Sequence, residues 1–64
     1  MYKIRKGSII LEYAYGIKIV STITSEVKFL GNGRQSFTAV TKRGNPVEYV
    51  VGRGYGESIE VIKY

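Results

Sequence analysis

Glu26-Val27-Lys28-Phe29-Leu30-Gly31-Asn32-Gly33-Arg34-Gln35-Ser36-Phe37-Thr38-Ala39-Val40-Thr41-Lys42 is the stretch whose reading decides the fold. Two alternating runs flank Gly31-Asn32-Gly33-Arg34. Asn-Gly supplies the positive φ angles that a tight hairpin turn requires. The stretch therefore reads as two antiparallel strands, Glu26 to Leu30 and Gln35 to Lys42. Val27 and Phe29 share a face of the first, and Phe37, Ala39 and Thr41 share a face of the second.

The same grammar continues toward the C-terminus. Arg43-Gly44-Asn45 is a second turn signal, and Pro46 suits the first position of a strand, where no ladder donor is needed. Val47, Tyr49 and Val51 then alternate. Gly52-Arg53-Gly54-Tyr55-Gly56 reads as a loop, and Ser58 to Tyr64 as the last strand. Toward the N-terminus, Ile17 to Thr24 is a strand with Ile17, Ile19 and Ile23 on one face. Ser25-Glu26 kinks this strand rather than ending it. Tyr15-Gly16 marks a turn or a bulge. Ile9 to Tyr15 is a strand with Ile9, Leu11, Tyr13 and Tyr15 on one face. Gly7-Ser8 separates it from a further strand, Tyr2 to Lys6.

Branched residues and tyrosine dominate, eight glycines punctuate the chain, and no window has a helical period with caps. The expected fold is one all-β domain over residues 1–64. It is a small SH3-like or OB-like barrel, a strongly bent antiparallel meander of about five to seven short strands. At 64 residues the chain is short for an OB-fold, so the SH3-like form fits better. The expected core is Ile4, Leu11, Ile17, Ile19, Val27, Phe29, Phe37, Ala39, Val47, Val51, Ile59 and Val61.

Composition narrows the chemistry. Cysteine and histidine are both absent, which removes disulfides, thiol nucleophiles and the usual zinc sites. General acid–base catalysis most often uses histidine or a carboxylate pair with separated pKa values. The five carboxylates, Glu12, Glu26, Glu48, Glu57 and Glu60, read as solvated strand residues balancing nearby cations. No catalytic residue, metal or cofactor is expected. The glycine-rich loops lack a Walker lysine and a following helix, so they do not read as phosphate cradles. The apolar run Ile9-Ile10-Leu11 is too short for a signal core or a bilayer span, so the expected location is cytoplasmic.

Ten Lys and Arg against five Glu give a formal charge of +5, which suits a polyanion or an acidic protein surface. The candidate contact residues are Lys3, Arg5, Arg34, Lys42, Arg43, Arg53 and Tyr55. Lys3 and Arg5 share a face of the first strand. Tyr13, Tyr15, Tyr49 and Tyr55 can interleave with them, as platforms for single-stranded nucleic acid do. Tyr49 shares parity with Val47 and Val51, however, and is expected to pack in the core. Basic residues at turns and edges also keep sheet edges from pairing with other chains. Val20, Val40, Val50 and Ile62 lie on the parity opposite to the core. Neither a disulfide nor a metal supports so small a core, so a second copy covering that face is expected, with these four residues at a homodimer interface.

In size and charge the chain resembles the small basic archaeal chromatin proteins with SH3-like folds, without their lysine density or C-terminal helix. In size and composition it also resembles the compact β proteins that phages make to inhibit host factors. Two expectations of function follow. One is a nucleic-acid-binding module acting through a basic, tyrosine-containing surface. The other is a homodimeric inhibitor or adaptor that blocks a host protein, such as a defence protein.

Overall fold

Alternation between turn signals becomes six strands in a computed structural model that describes residues 3–52, 54 and 59–64. They are β1 (Ile9–Ala14), β2 (Ile17–Ile23), β3 (Lys28–Gly31), β4 (Arg34–Thr41), β5 (Pro46–Val51) and β6 (Ile59–Lys63). All pairings are antiparallel within one sheet. The fold is all-β; among the described residues there is no helix, and so none long and apolar enough to cross a membrane.

Strand β4 organises the sheet. One of its edges pairs with β5 from Gln35 to Val40. The opposite edge is shared, because β3 pairs with Arg34, Gln35 and Ser36 while β2 pairs with Ala39, Val40 and Thr41. Both run antiparallel to β4, so β2 and β3 are one strand bent in the middle. The bend is stitched to Thr38. Thr24 N–H donates to the Thr38 carbonyl at 2.9 Å, and Thr38 N–H donates to the Ser25 hydroxyl at 2.8 Å. A serine hydroxyl thus takes the place of a strand carbonyl where the ladder breaks, as the Ser25-Glu26 kink anticipates. On the other side, β2 pairs with β1 and β1 with β6. The order β6-β1-β2-β4-β5 is a bent meander. Its last strand, β6, returns to pair with the first, β1.

Two tight turns share one geometry. Asn32-Gly33 has φ of 53° and 74°, and Tyr15-Gly16 has φ of 52° and 75°. Two successive positive φ angles between antiparallel strands are those of a type I′ turn. The β4–β5 turn is longer. Gly44 N–H donates to the Thr41 carbonyl at 2.8 Å, and Thr41 N–H to the Asn45 carbonyl at 3.0 Å.

The strand expected over Tyr2 to Lys6 is not formed; Tyr2 lies outside the described residues, and residues 3–6 are not strand. Local bonding wins there. Ser8 N–H donates to the Arg5 carbonyl at 2.9 Å, and Arg5 N–H donates back to the Ser8 hydroxyl at 2.9 Å. The resulting turn presents Gly7 and Ser8 to the backbone of Ile23.

The core is Ile10, Ile23, Phe37, Ala39, Tyr49, Val51 and Ile59, with Ile4, Val27, Val47 and Val61 packed against it. Phe37 and Tyr49 are direct cross-strand partners, and their rings stack at 5.5 Å. Four expected core residues lie elsewhere: Leu11, Ile17, Phe29, and Ile19, which is half-buried beside Ile17 beyond the reach of β4. Leu11 is on the outer face of β1, because Ile10 takes the inner position. Ile17 is 57% exposed, because β2 outruns β4, whose pairing begins only at Ser21. Phe29 is 71% exposed, on a β3 strand that is exposed throughout.

Inverting β1 carries Glu12 inward, so it is not the solvated residue expected. Its carboxylate accepts a hydrogen bond of 3.0 Å from the Tyr49 hydroxyl. Burial pushes the Tyr49 phenol above its ordinary pKa, and the Glu12 contact pushes the same way. The nearby Ser21 hydroxyl opposes them, without forming a hydrogen bond of good geometry. A phenol raised on folding contributes stability that is complete below its unfolded value near 10.0. That stability is lost as pH rises through the folded value. Chemical denaturation from neutral pH to about pH 11, above the ordinary tyrosine value, is therefore expected to show a steeper alkaline loss in the wild type than in Tyr49→Phe. Parallel curves would mean that this phenol does not couple to folding.

Candidate functional site

The register places two chain reversals at the same end of the sheet. In the β1–β2 hairpin, Tyr13 pairs with Lys18 and Leu11 with Val20. In the β2–β4 ladder, Ser21 pairs with Thr41. Extending that register sets Lys42 beside Val20 and Arg43 beside Ile19. Between the β2 start and the β4–β5 turn lies an open groove of about 450 Å³. Ile17, Lys18, Ile19, Val20, Thr41, Lys42, Arg43 and Asn45 line it.

Three cations and no carboxylate line this groove among the described residues. Its floor is apolar, so a bound anion there would face less competing water than on an open surface. Lys18 extends over Tyr13, with Nζ at 5.8 Å from the ring centroid. The Tyr13 hydroxyl reaches Glu60 Oε2 at 3.4 Å. Tyr15, at the hairpin tip, is completely exposed. One hairpin and one turn thus deliver flat rings and cations to the same end of the molecule. A second cleft, about 220 Å³, runs between the bend and β5. It carries Glu26 and Glu48 beside Lys28, so its charge is mixed.

Of the candidate contact residues among the described residues, Lys42 and Arg43 line the basic groove. Arg5 stands at the other end of β1. Its guanidinium carbon is 4.1 Å from the Tyr64 ring centroid, and Nε and Nη2 each donate to the Tyr64 carbonyl at 3.4 Å. Lys3 is exposed in the segment preceding β1, and Arg34 is half-buried at the start of β4. Arg53 and Tyr55 lie outside the described residues. Lys18 was missed. Its signal was available: if Tyr15-Gly16 is a two-residue turn, Tyr13 must face Lys18.

The four outward residues expected at a dimer interface all lie on the outer face, but not in one patch. Val20 and Val40 are half-buried near neighbours, because Thr22 pairs with Val40. Val40 pairs with Pro46, and Val50 lies roughly 13 Å farther along β5 at the usual strand rise. Ile62 sits at the β1–β6 register shift, two strands beyond the β2 member of this pair.

In comparisons with known proteins, no family model matches the chain, no curated protein matches it, and no solved structure matches it.

Proposed function

We propose that this protein is a non-catalytic nucleic-acid-binding module, and that its contact surface is the end where the β1–β2 hairpin meets the β4–β5 turn. The observation that carries this reading is the groove lined by Lys18, Lys42 and Arg43 without a carboxylate among the described residues. Cations neutralise phosphates whatever the sequence, and rings beside them accept bases. Tyr13 supplies such a ring next to Lys18. The charge of +5 supports the same reading at long range by raising the rate of encounter with a polyanion.

Fluorescence anisotropy with a labelled single-stranded oligonucleotide over a salt series tests the reading. The logarithm of affinity is expected to fall linearly with the logarithm of salt, by about 0.7 for each single-strand phosphate contact. Lys18→Ala, Lys42→Ala and Arg43→Ala should each flatten the slope by about that amount. Lys28→Ala, in the mixed-charge cleft, should not. Absence of binding to DNA and RNA at about 50 mM salt, where such contacts are strong, would end the proposal. A protein partner captured in a nuclease-insensitive way would then favour the inhibitor reading.

A further inference from the structure

The two type I′ turns are an internal comparison. Their φ angles agree within a degree, yet their sequences differ at the position that matters. Asn32-Gly33 is the preferred pair for this turn, because asparagine tolerates the left-handed region. Tyr15-Gly16 puts an aromatic residue there. A bulky side chain at φ of 52° is a steric outlier. Strand propensity does not explain it, since the residue is in a turn. Packing does not explain it either, because Tyr15 is 100% exposed. Asparagine would suit the fold better. A residue that breaks a local rule without any return in packing marks a functional position.

Its surroundings indicate the ligand. Tyr13 and Lys18 lie on the same hairpin, and Lys42 and Arg43 stand across the groove. Tyr13 is already engaged, with Lys18 over its ring and Glu60 at its hydroxyl. Tyr15 presents its whole ring to solvent. We propose that Tyr15 is a stacking platform for an unpaired base, so that this surface takes single-stranded rather than duplex nucleic acid. This rests on the nucleic-acid reading above and adds the class of ligand. Bases within a duplex are covered by their neighbours, and a ring at a hairpin tip reaches only a base that is unstacked. The cations would hold the phosphates on either side.

The test compares wild type with Tyr15→Asn and Tyr15→Phe. The probes are a labelled thymidine oligomer of about twelve nucleotides, within the usual range of single-strand sites, and its duplex with the complementary strand. The wild type is expected to prefer the single strand. Tyr15→Asn should bind the single strand roughly ten-fold or more weakly, as loss of one stacked base predicts. It should bind the duplex as the wild type does. Tyr15→Phe should keep the preference. Tyr15→Asn should also melt higher, by about 4 °C for a domain of this size, because the turn strain is relieved.

A wild type that binds neither probe would remove the nucleic-acid reading and this inference with it. A wild type that binds, with Tyr15→Asn binding the single strand equally well, would remove only the stacking role. A lower melting temperature for Tyr15→Asn would show that the ring supports the fold, and would overturn the inference.

Discussion

Phe37→Ala is expected to cost about 3–5 kcal/mol, as loss of a buried aromatic ring usually does. In a domain whose whole stability is of order 5 kcal/mol, the folded state would hardly be populated. Phe37 is 5% exposed at the centre of β4, the strand that pairs with β2, β3 and β5. Its ring stacks on Tyr49, so the variant loses an aromatic pair as well as buried area. No disulfide exists to hold the remaining structure together. Far-ultraviolet circular dichroism and a urea titration would measure the effect. Phe29→Ala is the matched control. It removes the same ring from a site that is 71% exposed, where substitutions usually change stability by less than about 0.5 kcal/mol. Similar losses in the two variants would show that the core is not where this fold places it.

That contrast also shows how far the sequence could be read. Phe37 and Phe29 both alternate correctly with their neighbours, and period two treats them alike. The difference is tertiary. β4 has partners on both edges, whereas β3 pairs with β4 alone. Alternation was sufficient on β4 and β5, where turn signals bracket the strands and Val47, Tyr49 and Val51 share a face with Phe37 and Ala39. It failed on β1. Ile9, Ile10 and Leu11 are apolar on both parities, so the alternation of Ile9, Leu11, Tyr13 and Tyr15 leaves Glu12 on the opposite face, where it reads as solvated. It faces inward because a tyrosine from β5, far away in sequence, donates to it. A pattern local to one strand carries no information about such a partner.

The candidate site divides in the same way. Lys42 and Arg43 were legible because a turn signal places them at a strand end. Lys18 sits within an alternating run and looks like an ordinary exposed strand residue. Only the pairing of Tyr13 with Lys18 and the approach of the β4–β5 turn convert it into one wall of a groove. Arg5 is placed elsewhere by the fold. It is basic and exposed, but its guanidinium lies over Tyr64 at the other end of β1. Charge counts show that a surface is basic, and register shows which cations meet.

Gly52→Ala is expected to be more damaging than Gly44→Ala, and the pair can say why. Gly52 has a φ of 98°, where an L side chain typically costs about 1–3 kcal/mol. Gly44, in the β4–β5 turn, has a φ of 88° and should incur a similar backbone cost. The two differ in their surroundings. A Cβ on Gly44 would meet nothing within 4 Å, whereas one on Gly52 would collide with the Gly33 carbonyl oxygen and lie 3.3 Å from the Arg34 Cα. Both contacts are backbone, so they cannot yield by changing a rotamer. They belong to the Asn32-Gly33 turn and the first residue of β4, and relief would have to displace the hairpin that sets the register of the sheet. Gly44→Ala should therefore lose about 1–3 kcal/mol, and Gly52→Ala measurably more, with the excess reporting the close approach of the chain after β5 to the β3–β4 turn. Urea midpoints with unchanged slopes would give both values on one scale. Equal losses would mean that the chain after β5 does not rest against that turn, and a Gly52→Ala variant as stable as the wild type would show that neither the φ angle nor the contact is required.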